Sequence, residues 1–129
     1  MHTPVKLVIC FLLLIGCGRI SAHELTPTYV DLKQSYVQNV LTTKLMLWNG
    51  RADVLYYKVL VYDKDFKELP FVATPGKIIK LEYSKRQELD VFLGAADARD
   101  AVYICTRSQI LKGLKQKTVI SSKICSKIK

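Results

Sequence analysis

The sequence predicts an all-β fold, an immunoglobulin-like β-sandwich that forms a single domain of about seven strands. Short segments rich in β-branched and aromatic residues recur along the chain, and turn residues separate them at intervals of roughly 8–12 positions. No long segment has the period of an amphipathic helix, and the chain contains no internal repeat. Together these features favour two packed sheets over a helical or mixed architecture.

The strands are predicted from the alternation of their side chains. Residues 40–48 form one strand, with Leu45 and Leu47 on one face and Met46 on the other. Residues 94–100 read as a loop or one helical turn. The remaining strands are predicted at residues 54–62, 71–74, 77–83, 88–93, 101–108 and 119–129. The last stretch also repeats isoleucine every four residues, so a short helix is the alternative there.

Residues 1–22 have the features of a secretory signal peptide. Lys6 supplies the positive region, Leu7 begins an apolar run, and Ile20 to Ala22 form a small-residue cleavage site. Export to the periplasm and a mature domain over residues 23–129 follow. An alternative cleavage before Cys17, in a bacterial lipobox, would instead give an outer-membrane lipoprotein.

The composition argues against an enzyme or a metalloprotein. The predicted mature chain has one histidine, His23, and no cluster of cysteine and histidine, so neither histidine-dependent catalysis nor a metal site is expected. We predict no cofactor. An anionic surface remains an alternative partner, but an exported protein is not expected to bind nucleic acid. The lysines of the C-terminal tract that suggest it are Lys112, Lys115, Lys117, Lys123, Lys127 and Lys129.

The predicted mature chain has two cysteines, Cys105 and Cys125. Two cysteines in an exported chain favour a disulfide over two free thiols. A bridge here would contribute about 3 kcal/mol by restricting the unfolded chain. Two unpaired buried thiols are the alternative.

Five short patterns follow one another in a fixed order. They are LMLWN at residues 45–49, FVATP at 71–75, IIKLE at 78–82, QELDVFL at 87–93 and YICTR at 103–107. In this order they closely resemble the N-terminal domain of the PapD-like periplasmic chaperones of pilus and fimbria assembly. Chaperones of that family have a second domain, and this sequence has no residues left for one.

The resemblance implies binding of secreted pilin subunits by β-strand addition. In the family, the last strand of the domain lends alternating apolar side chains to the open groove of the subunit. Ile120, Ile124 and Ile128 are the candidates for that row. The alternative is that these isoleucines face the core of their own domain.

The family also holds the terminal carboxylate of the subunit on an arginine of the first strand and a lysine of the last. The resemblance implies that residues 25–32 form the first strand. Here Tyr29 stands where that arginine would be, and Lys123 or Lys127 is the candidate lysine. Two ordinary solvated lysines are the alternative. Family members with a long loop between the last two strands join them by a disulfide, which supports pairing of Cys105 with Cys125.

The sequence therefore predicts a non-enzymatic, periplasmic, chaperone-like protein of pilus or fimbria biogenesis. Its expected partners are a pilin-like subunit and an outer-membrane usher. Contact with a membrane is expected only if Cys17 is lipidated. The alternative is a small structural or surface-interaction protein that has kept the sandwich without chaperoning.

Overall fold

The computed structural model describes residues 22–110 and 120–129. These residues form ten strands and one helical turn, α1 (Ala95–Asp100), where a loop or single turn was predicted. None of the described helical structure is long and apolar enough to span a membrane. In chain order the strands are β1 (Glu24–Thr26), β2 (Tyr29–Val30), β3 (Lys33–Gln34), β4 (Val40–Trp48), β5 (Tyr56–Tyr62), β6 (Val72–Thr74), β7 (Ile78–Lys80), β8 (Arg86–Gly94), β9 (Tyr103–Gln109) and β10 (Lys123–Ile128).

Some sequence predictions fall on residues that the structure does not describe. The predicted leader lies outside the described part of the chain except for Ala22, and so does its alternative lipidation residue, Cys17. Lys112, Lys115 and Lys117 of the basic C-terminal tract also fall outside it.

The strands form two five-stranded sheets, which confirms the immunoglobulin-like sandwich. Sheet A has the order β1-β4-β8-β6, with β3 also pairing with β4. Sheet B has the order β2-β10-β9-β5-β7. The longest ladder joins β4 to β8, from Val40 opposite Gly94 to Trp48 opposite Arg86.

The strand count is ten where about seven were expected, because edge segments divide into short strands. The predicted first strand, over residues 25–32, is the clearest case. Pro27 has no N–H to donate to a ladder, so β1 ends at Thr26 and the chain crosses to sheet B, where β2 begins at Tyr29. One sequence segment therefore borders both sheets.

The core lies between the sheets and is built by alternation along the central strands. In β4, Leu45 and Leu47 are fully buried while Lys44 and Met46 are exposed, so the two faces predicted from the alternation differ in burial. In β5, Tyr57, Val59 and Val61 face the same core, where β8 and β9 add further side chains. The buried members of these strands are Leu45, Leu47, Tyr57, Val59, Val61, Leu89, Val91, Leu93 and Ile104.

A second, smaller apolar cluster lies on the outer face of sheet B. Leu60, Tyr62 and Cys105 are its buried members, and Tyr103 and Cys125 pack against them. The turn after β5 covers this cluster with Phe66, whose ring stacks on Tyr103 at a centroid distance of 4.7 Å. This cluster explains why five consecutive residues at the end of β5 include no exposed side chain.

Candidate functional site

The candidate donor strand β10 lies near one edge of sheet B. It pairs antiparallel with β9, from Lys123 opposite Arg107 to Lys127 opposite Tyr103. On its other side it pairs in parallel with β2, and only at Lys127 and Ile128. The sequence prediction of a strand here, rather than a short helix, is correct.

Most of β10 has an open edge on the side away from β9. The Ser108 N–H donates to the Ser122 carbonyl, and the Ile128 N–H donates to the Val102 carbonyl, both at 2.8 Å. The even-numbered residues of β10 therefore bond to β9, and the peptide groups of Lys123 and Cys125 point away from it. Within the described parts of the chain no strand pairs with this side of Lys123 to Ser126. We call this stretch the open edge of β10.

The three isoleucines of the predicted donor row occupy different environments. Ile124 and Ile128 are partly buried and pack against the core between the sheets. Ser126, between them on the same face, is fully buried. Ile120, just before the strand, is 70% exposed. In the free protein, therefore, only Ile120 of the row presents its side chain to solvent, and a donor role for the three stays a prediction.

The two candidate lysines also differ in position. Lys127 lies directly beside Tyr29 in the parallel pairing of β10 with β2, and the Tyr29 side chain is 59% exposed. Lys123 is four residues earlier and pairs with Arg107 of β9 instead. The structure thus brings Lys127, and not Lys123, to the tyrosine that stands where the resemblance expects an arginine. A groove of about 480 Å³ adjoins this position and is lined by Tyr29, Asp31 and Lys33 among others.

A disulfide joins Cys105 of β9 to Cys125 of β10. The two residues lie directly opposite each other, with their Cα atoms 4.0 Å apart. Their pair is one that exchanges no backbone hydrogen bonds, which is the closer of the two antiparallel pair types. The bond links β10 to the sheet on its β9 side.

A buried polar network anchors the chain just before β10. His23 is 1% exposed, and its Nε2 lies 3.0 Å from the Thr106 carbonyl oxygen, while its Nδ1 lies 3.0 Å from Ser122 Oγ. A carbonyl oxygen only accepts, so Nε2 carries the proton and Nδ1 accepts from the Ser122 hydroxyl. Burial of the ring lowers the pKa of His23, and the nearby Arg51 guanidinium lowers it further, against the opposing effect of the Thr106 carbonyl. The imidazole is therefore held neutral.

Arg51 extends this network to the exposed isoleucine. Its guanidinium forms a two-bond ion pair with the Asp53 carboxylate, at 3.0 and 2.6 Å, which raises the pKa of Arg51 and lowers that of Asp53. The remaining nitrogen, Nη1, donates to the Ile120 carbonyl oxygen at 2.8 Å. The backbone that presents the Ile120 side chain is thus fixed by a charged donor.

A buried asparagine orients the loop that carries Arg51. Asn49 Oδ1 accepts from the Arg51 N–H at 2.9 Å and from the Tyr57 hydroxyl at 2.5 Å. Its Nδ2 donates to the carbonyls of Val54 and Leu81. Burial raises the pKa of Tyr57 to about 12, so its hydroxyl stays a donor. The loop geometry therefore depends on a fully satisfied side-chain amide.

Sequence reasoning did not find the network of His23, Arg51 and Ser122. The only local signal was the Arg51–Asp53 pair, two residues apart, which resembles any charged turn. Among the described residues no group of three or more metal-ligating side chains comes together. The structure thus offers a strand edge and its anchors, and these support recognition of a polypeptide.

Known protein structures share the fold of this chain, whereas the sequence comparisons find no match. No protein-family model and no curated protein sequence matches this chain. Among solved structures, the E. coli chaperone DraB superposes with a TM-score of 0.57 at 16% identity, over 83% of this chain and 53% of DraB. The SafB chaperone of Salmonella enterica, solved in complex with the SafA pilin, gives 0.56 at 16% identity, over 86% of this chain and 54% of the other.

A third structure, the periplasmic chaperone SfaE, matches with a TM-score of 0.51 at 16% identity, over 83% of this chain and 55% of SfaE. The chain thus spans about half the length of each of these chaperones. At such identities the comparison bears on the fold. The chain has the fold of a PapD-like N-terminal domain, as the ordered patterns in its sequence predicted.

Proposed function

We propose that this protein is a periplasmic chaperone-like protein of pilus or fimbria biogenesis that binds secreted β-rich subunits by β-strand addition. The observation that carries the proposal is the open edge of β10, where the peptide groups of Lys123 and Cys125 face away from the sheet. A subunit strand that pairs there would extend sheet B, and main-chain hydrogen bonds would supply much of the affinity. Extension of a sheet edge needs no catalytic group.

The segment before β10 is proposed to supply the apolar contact. Ile120 is 70% exposed, whereas Ile124 and Ile128 already pack against the domain core. Arg51 fixes the Ile120 carbonyl, so the side chain is presented from an ordered backbone. Less conformational freedom is then lost on binding, which favours affinity. In this proposal Ile120 enters the subunit groove while Ile124 and Ile128 keep β10 on its own domain.

The carboxylate end of the subunit is proposed to lie at Tyr29 and Lys127. The Lys127 ammonium would supply the charge, and the Tyr29 hydroxyl would donate a hydrogen bond where the family places an arginine. One cation and one neutral donor bind a carboxylate less strongly than a bidentate arginine does. Strand pairing would therefore contribute a larger share of the affinity here than in a chaperone with the arginine.

The proposal is tested by capture of periplasmic proteins with three forms of the mature protein, followed by mass spectrometry. The variants are Ile120→Asp and, as a matched control, Ile78→Asp, because Ile78 is also an exposed isoleucine at a sheet edge. We expect the parent and the control to retain a secreted β-rich subunit and Ile120→Asp to lose it. Equal capture by all three, or no such subunit, would contradict strand addition.

A second variant tests the backbone hydrogen bonds of the open edge separately from the Ile120 side chain. Lys123→Pro removes an N–H that points away from β9, so it should leave the domain folded while it removes one hydrogen bond to an added strand. Lys123→Ala is its matched control, because it removes the same ammonium and keeps the N–H. If subunit capture fails in every form, the alternative is a small structural or surface-interaction protein. That alternative is favoured by Tyr29, which stands where the family has the arginine that holds the carboxylate of the subunit. The proposed usher partner would be sought in the same capture experiment.

A further inference from the structure

The outer face of sheet B carries a row of three cations on adjacent strands. Arg107 of β9 lies directly opposite Lys58 of β5 on one side and directly opposite Lys123 of β10 on the other. All three side chains leave the outer face, since the residues that alternate with them, such as Val59 and Thr106, are fully buried between the sheets. We call Lys58, Arg107 and Lys123 the basic row.

The described residues do not neutralise the basic row. The five strands of sheet B contain no aspartate or glutamate. Nor does any ion pair within the described part of the chain involve a member of the row. The Lys123 ammonium lies 5.1 Å from the ring centre of Tyr62 and 5.2 Å from that of Phe66. Lys123 is therefore partly accommodated by aromatic rings. Lys58 lines a groove together with Glu68, but none of the described ion pairs joins Lys58 or Arg107 to a carboxylate.

In sheet A, by contrast, the outward-facing cation of the central strands is paired with carboxylates. Lys44 of β4 lies directly opposite Asp90 of β8 and pairs with both Glu88 and Asp90, which raises the pKa of Lys44. Like charges directly opposite each other in a sheet are destabilising, while opposite charges stabilise it. The fold thus keeps two repulsive cross-strand pairs in sheet B. Carboxylates placed along the row would relieve both.

We propose that the basic row binds an acidic segment of a partner polypeptide, whose carboxylates lie over Lys58, Arg107 and Lys123. A polypeptide fits better than a bilayer surface, because Lys58 and Arg107 are only partly exposed and an anion must therefore approach them closely. The basic row shares Lys123 with the open edge of β10, but it uses side chains of the outer face rather than peptide groups of the edge, and it does not depend on strand addition.

The test measures fluorescence anisotropy of a labelled peptide of alternating Glu and Thr, with the Gln–Thr analogue as the uncharged control. Vesicles of phosphatidylglycerol serve as the second probe, at about 50 mM salt so that screening is weak. The key variant is Arg107→Glu, which places a carboxylate between two lysines. Its matched control is Arg86→Glu, an exposed position of β8 in sheet A with the same change of charge.

Arg107→Glu should act in opposite directions on binding and on stability. We expect its affinity for the Glu–Thr peptide to fall by about tenfold or more, while Arg86→Glu stays within about threefold of the parent. The same Arg107→Glu change should raise the thermal unfolding midpoint, because repulsive pairs become attractive ones. A purely structural role would change the midpoint and leave peptide binding alone.

Three results would overturn the proposal. The first is equal binding of the Glu–Thr peptide by the parent and by Arg107→Glu. The second is binding of the Gln–Thr analogue that is as strong as binding of the Glu–Thr peptide. The third is vesicle binding that is tighter than peptide binding and is lost in Arg107→Glu. The last would assign the basic row to a lipid surface. Binding of the Glu–Thr peptide that weakens with salt and is lost only in Arg107→Glu supports the acidic polypeptide.

Discussion

Acidification should destabilise this protein through His23. The ring is held neutral in the folded state, with its pKa lowered from the ordinary value of 6.5 by burial and by Arg51. Below pH 6.5 the unfolded chain therefore binds a proton that the folded chain does not, and the free energy of unfolding falls as the pH falls. The loss ends when the pH reaches the folded-state pKa. Between about pH 7 and about pH 5.5 it amounts to at most about 1.3 kcal/mol.

The assay is urea unfolding of the chain from Ala22 onward, followed by tryptophan fluorescence at several pH values across this range. His23 is the only histidine in that part of the sequence, so no other imidazole contributes. The control is His23→Gln, which removes the titrating group and should flatten the dependence even though it lowers stability overall. A parent that shows no pH dependence here, or a variant with the same slope as the parent, would refute the neutral, buried assignment of His23.

Three further predictions concern β10 and its anchors. Replacing Cys105 and Cys125 together by alanine should lower the free energy of unfolding by about 3 kcal/mol, read from denaturant curves, because the bond closes a loop with a sequence separation of 20. Ile124→Ala should cost about 2–3 kcal/mol in the same assay, whereas Ile120→Ala should cost less than about 0.5 kcal/mol, since only Ile124 packs on the core. Arg51→Met should cost about 1–3 kcal/mol, because it leaves the Ile120 carbonyl without its charged donor. Similar costs at both isoleucines would contradict their assigned environments. An Arg51→Met variant as stable as the parent would contradict the stabilising role of the hydrogen bond from Arg51 to the Ile120 carbonyl.

The sequence was most informative where contacts repeat locally. The alternation of Leu45 and Leu47 with Lys44 and Met46 separated the two faces of β4 correctly, because a strand has a fixed period of two. The disulfide followed from the small number of cysteines in an exported chain. The ordered patterns from residue 45 to residue 107 identified the PapD-like fold without any single diagnostic motif.

The sequence was uninformative where distant residues meet. His23 and Ser122 are 99 positions apart, so no local sequence pattern predicts their hydrogen bond. The isoleucine row was ambiguous for a different reason: a donor row and a core row have the same alternation. Only the packing of the two sheets distinguishes partly buried Ile124 from exposed Ile120. The division of the first strand at Pro27 likewise depends on which sheet each half joins.

Amide hydrogen exchange of β10 in a complex with a captured pilin-type subunit tests strand addition most directly. The account predicts that the amides of Lys123 and Cys125, which point to the open edge, exchange at least about tenfold more slowly in the complex than in the free protein. The amide of Ile124, already bonded to β9, should change little. Unchanged exchange at Lys123 and Cys125 in a stable complex would show that the subunit binds elsewhere and would contradict the central claim.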